Sequence, residues 1–423
     1  MKRRRFLERL GVGIVALRSD ALVRVEKAAK IVEGMTPQEA ARDETYWFMI
    51  RRAFTIDPNE INLNSGSVSP APRVVQDAVR NYMTITNMSP SLWVDDILSP
   101  HRELVRKRLA AMADADPEEI AITRNTSESL QIVQLGMNLQ AGDEILTTTQ
   151  DYPRMLTTWQ QRARRDGVVL RTFSVPTPPE DPAELAALFA AHVTDRTRVV
   201  HMSHVTFTAG QIFPVQAICG MARERDIFSV VDGAHSFAHF PFSLHELGCD
   251  FFGTSLHKWL TAPVGTGMLY VRRPLIPEIW ALTPAPQTMD SNIRKFEQIG
   301  THPVAIPNAI GEAITFHESI GGERKVARLR YLRHRWMEQV SDLPNIRFYT
   351  ADEDIQAGGL ATMGIDGIGA ADLTDLLQKR YSIHVRPRFV EGEWEGIRVT
   401  PNVFSTLEEV DTFARGIREL ATA

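Results

Sequence analysis

Short apolar runs that alternate with helical patterns are the feature of this sequence that most constrains its fold. The runs occupy residues 120–123, 144–149, 168–173, 198–205, 227–232, 251–254 and 267–271. Nearly continuous apolar strands between helices indicate a mostly parallel sheet that is covered by helices on both faces. From about residue 303 a long helical stretch and then shorter strand and helix signals indicate a smaller α+β domain. We therefore predict an α/β fold with a large sheet domain and a smaller C-terminal domain.

Composition and charge narrow the class of protein. A chain of 423 residues suits two packed domains, and 43% hydrophobic and 23% charged residues are ordinary for a soluble globular protein. The formal net charge of -5 gives no reason to expect a nucleic-acid partner. Cys219 and Cys249 are the only cysteines, which excludes a disulfide-rich scaffold and a cysteine-rich metal site. No metal is predicted.

Two reactive side chains come at the ends of neighbouring apolar runs. Asp232 ends one run in V-V-D-G-A-H, and Lys258 lies just past the next run in S-L-H-K. A buried carboxylate and a lysine on neighbouring strands suit pyridoxal 5'-phosphate, because the lysine can form a Schiff base and the aspartate can pair with the pyridinium nitrogen. Alone, Asp232 would be typical of a strand-end turn and Lys258 of a surface charge. Their joint occurrence indicates a cofactor site.

A second segment has the character of a phosphate site. The motif T-R-N-T-S-E directly follows the first apolar run, and Asn125 or Thr126 can cap a helix there. Free backbone N–H groups and hydroxyls at a helix start bind anions such as a cofactor phosphate. Ser255 and His257, next to the lysine, are further candidate phosphate ligands. Without Asp232 and Lys258, the same motif would predict only an ordinary capped helix.

These motifs give the chain a resemblance to the class V aminotransferase family, and within it to the isopenicillin N epimerase-like branch. The resemblance covers about residues 62–413 and includes L-N-S-G-S, S-H-V-T-F-T-A-G, E-Q-I-G-T and I-R-V-T-P-N-V-F-S-T-L-E-E-V. It implies a PLP-dependent transferase fold of type I with a mostly parallel seven-stranded sheet. The implied domains are a large PLP-binding domain over residues 61–295 and a small domain over 296–423. Residues 31–60 would pack with the small domain.

The resemblance also implies a role for each cofactor-binding position. Lys258 would be the Schiff-base lysine and proton shuttle, and His235 would lie near the phenolic oxygen of the ring. Tyr152 would stack on the ring, although a core tyrosine at a strand end is the alternative. His204 stands where relatives often have asparagine beside the ring oxygen, and a structural histidine is equally consistent. The predicted cofactor-binding residues are Asn125, Thr126, Ser127, Tyr152, His204, Asp232, His235, Ser255, His257, Lys258 and Thr301.

Partners and substrate follow from the same resemblance. Thr301 would reach the phosphate of a neighbouring subunit, so a homodimer with shared active sites is expected. Arg398 would clamp the α-carboxylate of an amino-acid-type substrate in a bidentate pair. The substrate entrance would be lined by Asn64, Gly66 and Ser67. Arg386 and Arg388, in H-V-R-P-R, could add a second anionic contact.

Several reactions fit these residues. Removal of the α-proton by Lys258 would give a quinonoid, from which transamination, epimerisation or loss of a β-substituent could follow. Epimerisation usually needs a second acid/base, for which Tyr152 and His204 are the candidates. We predict an enzyme of aminotransferase or epimerase type, with a cysteine-conjugate β-lyase as the alternative and a non-catalytic PLP-fold binding protein as the third possibility. Cysteine desulfurases use a nucleophilic cysteine in the C-terminal domain, and no cysteine follows Leu275.

The N-terminal residues predict the cellular location of the protein. It begins M-K-R-R-R-F-L-E-R-L, in which Arg3, Arg4 and Arg5 resemble a twin-arginine export signal. We predict a twin-arginine-like leader over residues 1–30 and a periplasmic or exported protein. The alternative is a cytoplasmic protein with a basic amphipathic helix at its start. No other segment approaches the roughly 18 apolar residues that span a bilayer, so no stable membrane span is predicted.

Overall fold

The computed structural model describes residues 27–422, and a seven-stranded sheet is its largest element. The strands, in chain order, are β1 Ile61–Asn62, β2 Ile120–Thr123, β3 Glu144–Thr148, β4 Val169–Phe173, β5 Thr197–Ser203, β6 Phe228–Asp232, β7 Phe251–Ser255, β8 Gly267–Val271, β9 Ile346–Phe348, β10 Ala361–Ile365, β11 Ile383–His384, β12 Arg386–Val390 and β13 Trp394–Val399. The α-helices are α1 Pro37–Arg42, α2 Glu44–Arg51, α3 Arg73–Met88, α4 Ser99–Ala113, α5 Thr126–Gly136, α6 Pro153–Asp166, α7 Pro182–His192, α8 Val215–Arg223, α9 Leu244–Leu247, α10 Ala305–Asn308, α11 Ile310–Ile320, α12 Gly322–Glu338, α13 Ala370–Tyr381 and α14 Leu407–Ala421.

The large sheet has the strand order β2-β8-β7-β6-β5-β3-β4. All neighbouring pairs between β7 and β4 are parallel, whereas β8 is antiparallel to both β7 and β2. The seven strands coincide with the seven apolar runs of the sequence. Their residues are buried almost throughout, apart from the edge strand β4, as expected for a sheet with helices on both faces. The fold is α/β with a mostly parallel sheet.

A second, four-stranded antiparallel sheet forms in the C-terminal part of the chain, in the order β12-β13-β10-β9. It packs with α13 and α14 around a separate apolar cluster that contains Ile397, Phe413 and Trp336. Strand β1 pairs in parallel with β11, so the chain segment that precedes α3 is attached to this C-terminal unit. Helix α12 belongs to both units, because Leu329 lies in the main core and Trp336 in the smaller one.

In the N-terminal segment residues 27–29 are helical, and α1 and α2 follow them. Asp43 both ends α1 and caps α2, where its side chain accepts a hydrogen bond from Tyr46 N–H. Trp47 is buried in the main core, while Arg328 of α12 donates to the carbonyl of Ala41. The segment therefore packs against α12 and also against the large domain.

The leader proposed for residues 1–30 lies almost entirely outside the described residues, including all three arginines of the export motif. Among residues 27–422, no helix is long and apolar enough to cross a membrane.

Candidate active site

A cavity of about 380 Å³ opens where β5, β6 and β7 end, at the carboxyl edge of the large sheet. Open α/β sheets bind ligands at this edge. Most of the predicted site residues meet in the cavity wall. The predicted residues in its lining are Gly66, Ser67, Asn125, Thr126, Ser127, Tyr152, Asp232, His235, Ser255, His257, Lys258, Arg388 and Arg398.

Asp232 is the last residue of β6 and is only 4% exposed. Within the described residues its carboxylate accepts one hydrogen bond, from Ala234 N–H to Oδ1 at 2.9 Å. Gly233 allows the tight turn after it, since a Cβ at this position would lie 1.8 Å from the ring of Phe252. Burial raises the pKa of Asp232, although the Ala234 N–H and the charge of Lys258 favour the carboxylate. A cationic group next to Asp232 would lower this pKa and favour the ionised carboxylate.

Lys258 follows β7, and its Nζ lies 3.3 Å from Nε2 of His235. Burial lowers the pKa of Lys258, and the charge of Asp232 partly offsets this. Burial also lowers the pKa of His235 well below its usual value, and the positive charge of Lys258 adds to the effect. His235 is therefore neutral near pH 7. The lysine is close to the range in which a side chain both takes and returns a proton.

The start of α5 forms the end of the cavity that suits a phosphate. Asn125 caps the helix by accepting from Glu128 N–H at 2.9 Å. Thr126 N–H donates to Ser255 Oγ at 2.9 Å, and the two hydroxyl oxygens are 2.7 Å apart. Thr126 at the start of α5 and Ser255 of β7 therefore place their hydroxyl groups next to each other. Helix dipole and hydroxyl donors together favour an anion here.

His257 borders the same end of the cavity. Its Nδ1 lies 3.1 Å from the carbonyl of Thr266, so Nδ1 carries the proton of the neutral ring. Burial lowers the pKa of His257 to about 4. A bound phosphate would raise that pKa and allow Nε2 to donate as well.

Arg398 of β13 also lines the cavity. Its Nη1 donates to the carbonyl of Phe207 at 3.0 Å, and its Nη2 donates to Ser67 Oγ at 2.9 Å and to Asn64 Oδ1 at 3.3 Å. All three acceptors are neutral, and no carboxylate within the described residues pairs with this 1% exposed guanidinium. Asn64 itself lies behind the lining and acts on the cavity through Arg398 and Ser67.

The position of Tyr152 is set by the turn at Asp151, and its ring packs against Phe207. Asp151 is buried and accepts from Thr147 Oγ1 at 2.6 Å and from Ser203 Oγ at 2.8 Å, which fixes the turn. Pro153 then starts α6, so Tyr152 is left at the helix entrance. Its ring meets that of Phe207 edge to face, with centroids 5.3 Å apart.

Two predicted cofactor-binding residues do not reach this cavity. The His204 ring packs against Phe240 and Phe242, with centroids 5.5 and 5.0 Å away, and burial lowers its pKa to about 3. Successive side chains of an extended segment point to opposite sides, and because Ser203 faces the cavity, His204 faces away from it. Of the two roles that the sequence leaves open for His204, this packing supports the structural one.

Thr301 is exposed and lines a neighbouring cavity of about 370 Å³, with Phe296 and Ile306 among its walls. Gly265 lines both cavities, so the two lie side by side.

Sequence reasoning missed several wall residues. They are Ser203, Val205, Phe207, Ala234, Val264 and Gly265. Phe207 has the largest role, because its carbonyl holds Arg398 and its ring contacts Tyr152. It lies in the quoted motif S-H-V-T-F-T-A-G, but nothing in the pattern shows that its main chain would accept from an arginine of the other sheet.

Pyridoxal 5'-phosphate fits the groups around the cavity. Asp232 presents a buried carboxylate with a single protein donor, and Nδ1 of His235 is buried with no hydrogen-bond partner among the described residues. Lys258 and Ser255 line the same cavity. A ligand with a cationic ring nitrogen at one place and a phosphate at another complements this arrangement.

Comparison with known proteins gives an independent result. The sequence profile of the family described as Aminotransferase class-V matches residues 61–393. Isopenicillin N epimerase of Streptomyces clavuligerus is 32% identical, with 88% of this chain and 98% of that protein covered. Isopenicillin N epimerase of Amycolatopsis lactamdurans is 30% identical, over 89% and 99% respectively. A cysteine desulfurase of Haloferax volcanii is 28% identical, over 76% of this chain and 78% of that protein.

Solved structures share the fold at lower identity. The apo cysteine desulfurase of Thermococcus onnurineus NA1 matches with a TM-score of 0.76 and 23% identity, over 88% of this chain and 97% of the other. The cystine C–S lyase C-DES, in complex with its product cysteine persulfide, matches with a TM-score of 0.75 and 23% identity, over 85% and 97%.

Proposed function

We propose a reaction for this chain, which belongs to the class V aminotransferase family and uses pyridoxal 5'-phosphate. The chain moves the α-proton of an amino acid or an amino-acid-derived amine, as an epimerase or an aminotransferase. The position of Lys258 carries this proposal. Its amine is buried in the cavity, beside a neutral histidine, with a pKa that burial lowers toward neutrality.

The residues that would hold the cofactor surround Lys258. Asp232 would face the ring nitrogen, and His235 would face the phenolic oxygen. The phosphate would bind at the start of α5. Its ligands there would be Thr126, Ser127, Ser255 and His257. When bound, the cofactor supplies an electron-withdrawing ring that makes the α-proton of an attached amine acidic.

Lys258 then acts as the base and acid at the α-carbon. Its lowered pKa keeps part of the amine unprotonated near pH 7, so it can accept the proton without a strong base. Arg398 would bind the α-carboxylate through the N–H groups that its neutral partners leave free, and that contact fixes which bond at the α-carbon faces Lys258. Asn64 and Ser67 hold the guanidinium in place for this task.

The two reactions differ in where the proton returns. Epimerisation needs a second acid on the other side of the α-carbon, and of the two candidates from the sequence only Tyr152 lines the cavity. Transamination needs Lys258 alone. The two isopenicillin N epimerases among the relatives support the first reaction.

Sulfur transfer through a protein persulfide is not proposed. Cys219 and Cys249, the only cysteines of the chain, are buried and lie outside the cavity lining. Burial raises the pKa of Cys219 to about 12 and that of Cys249 well above its usual value, so neither is a thiolate near neutral pH.

The test is incubation of the holoprotein with a panel of L- and D-amino acids in D₂O. Deuterium at Cα with inversion and no change in cofactor form supports epimerisation, whereas conversion of the cofactor to its amine form supports transamination. Release of pyruvate from a cysteine conjugate would instead support the β-lyase. Lys258→Ala should abolish each signal and Lys379→Ala, an exposed lysine, should not. If the holoprotein exchanges no α-proton and releases no product with any substrate, the proposal fails.

We also propose an oligomeric state and a cellular location for the protein. An exposed Thr301 beside, rather than in, the active-site cavity supports a homodimer in which each chain contributes Thr301 to the phosphate of its partner. The arginines of the N-terminal motif support export through a twin-arginine route.

A further inference from the structure

Three arginines lie on one face of the small antiparallel sheet. Arg386 of β12 is directly opposite Arg398 of β13. Directly opposite residues point to the same side of an antiparallel pair, and so do residues two apart on one strand. Arg388 therefore shares this face with the other two, and both Arg388 and Arg398 reach the active-site cavity.

No carboxylate of residues 27–422 forms an ion pair with these three arginines. Within residues 27–422, none of the three arginines has an acidic side chain within 4.0 Å, the limit for an ion pair. The Nε atoms of Arg388 and Arg398 are buried without any hydrogen-bond partner in that part of the chain. Burial lowers the pKa of Arg388 to about 10, and the charge of Arg386 adds to this. Gathering unpaired, partly desolvated cations costs free energy.

The charges of the cavity wall can be compared with those of an ordinary amino acid. Asp232 is the only acidic residue of the described lining, which contains three cationic ones, Lys258, Arg388 and Arg398. The cofactor phosphate has its own ligands at the start of α5, in the large sheet domain. The α-carboxylate has Arg398. A substrate with one carboxylate would therefore leave Arg388 without an anion.

Arg388 is also positioned for binding. Its guanidinium lies over the ring of Phe207, 5.5 Å from the centroid, and its Nη1 donates to the carbonyl of Pro387 at 2.8 Å. Phe207 also accepts from Arg398 through its carbonyl, so the two guanidinium groups are held by one residue. The remaining N–H groups of Arg388, including Nε–H, are available for a planar anion.

We propose that the substrate carries a second anionic group besides its α-carboxylate, and that Arg388 binds this distal group. The chemical class is an acidic amino acid or a longer amino-acid derivative that ends in a carboxylate. This inference rests on the proposed function, because it takes the α-amino and α-carboxylate groups of the substrate as given. Arg388 would thus determine specificity, while Lys258 and Arg398 would serve any amino acid.

The test compares amino acids that differ only in a distal carboxylate or carboxamide. The pairs are aspartate with asparagine and glutamate with glutamine, and 2-aminoadipate extends the series by one methylene. Dissociation constants come from the change in cofactor absorbance on titration of the holoprotein. We expect at least one acid to bind about tenfold to a hundredfold more tightly than its amide, the range for a charge-assisted contact.

Variants assign the preference to Arg388. Arg388→Gln should reduce the ratio to near one by weakening the acid and leaving the amide within about twofold, and Arg388→Lys should keep part of it. Arg380→Gln, which removes an exposed charge on α13, should leave the ratio unchanged. Equal binding of acid and amide by the wild type, or a full preference in Arg388→Gln, would overturn the proposal.

A second measurement separates this inference from the proposed function. Calorimetry of the holoprotein with glutarate and butyrate needs no amino group and no turnover. Glutarate should bind more tightly than butyrate to the wild type, and this difference should disappear in Arg388→Gln. If amino acids leave the cofactor spectrum unchanged while glutarate is still preferred, the proposed function fails and the anion site stands. If amino acids react but neither acids nor glutarate are preferred, the anion site fails alone.

Discussion

The side chain of Lys325 donates a hydrogen bond to the main-chain carbonyl of Trp259, the residue that follows the proposed catalytic lysine. Lys325 is 3% exposed at the start of α12, and burial lowers its pKa to about 7. The indole of Trp259 in turn stacks on His239, with centroids 3.7 Å apart. A buried amine from the helix that joins the two cores thus supports the turn that carries Lys258.

Lys325 makes stability depend on pH in a predictable direction. Its pKa is lowered in the folded chain, so between about pH 7 and pH 10 the unfolded chain binds more protons than the folded one, and stability rises with pH at up to about 1.4 kcal/mol per unit. Lys325→Met should flatten this rise. The measurement is the unfolding midpoint of both proteins in urea at several pH values. Parallel pH profiles for the two proteins would contradict the assigned burial effect.

Asp232→Asn keeps the size of the side chain but removes its charge. The phosphate ligands at α5 are untouched, so we expect cofactor still to bind, while α-proton exchange falls by about 10²- to 10³-fold, the range for losing one charge-stabilising group. Cofactor content from absorbance and exchange by NMR are measured together. Asp290→Asn, an exposed aspartate, is the control. An exchange rate near that of the wild type would show that Asp232 has no such role.

Tyr152→Phe separates the two proposed reactions. If the hydroxyl is the second acid, inversion should fall by about 10²- to 10⁴-fold, whereas α-proton exchange with retention, which needs only Lys258, should persist. Polarimetry and NMR in D₂O report the two quantities on the same sample. Tyr381→Phe, whose hydroxyl bonds Glu419 far from the cavity, is a matched control. Equal losses of inversion and exchange would remove Tyr152 from the role of second acid.

The proposed contribution of Thr301 to the site of the partner subunit can be tested in hybrid dimers of two variant chains. Thr301→Val should weaken cofactor binding by about tenfold through loss of one phosphate hydrogen bond. Lys258→Ala chains should be inactive but carry Thr301, so hybrids with Thr301→Val chains should regain tight cofactor binding and activity at limiting cofactor. Size-exclusion chromatography should find a dimer. Hybrids that remain as weak as Thr301→Val alone would exclude sharing of the residue between subunits.

The N-terminal arginines make a cellular prediction. Replacing Arg3 and Arg4 by lysine should retain the protein in the cytoplasm, because the twin-arginine route requires both guanidinium groups. Fractionation of periplasm and cytoplasm measures this, with Arg18→Lys as the control. An unchanged distribution would favour a cytoplasmic protein with a basic N-terminal helix.

The sequence predicts the large sheet and the convergence of most candidate site residues at its edge, for one physical reason. Strands buried on both faces are apolar along their whole length, so their ends are marked where polar residues such as Asp232 and Ser255 begin. Those ends converge at one edge of a parallel sheet. The same reasoning identifies Lys258 and the helix start at Thr126.

What the sequence does not provide is side-chain direction and contacts between the two sheets. For His204 the sequence leaves a cofactor contact and a structural role open, and the structure packs its ring against Phe240 and Phe242. The side chain of Phe207 is apolar and does not indicate a polar role, yet its main-chain carbonyl accepts a hydrogen bond from Arg398. The isolation of Arg388 from carboxylates depends on how β12 pairs with β13, which no local pattern in H-V-R-P-R reveals.

Helix α12 contributes side chains to both apolar cores, which affects how the protein unfolds on heating. Its first half is packed in the main core through Leu329 and its second half in the smaller core through Trp336. Neither core can open without exposing part of the same rigid helix. We therefore expect the two domains to unfold together, in a single calorimetric transition rather than two.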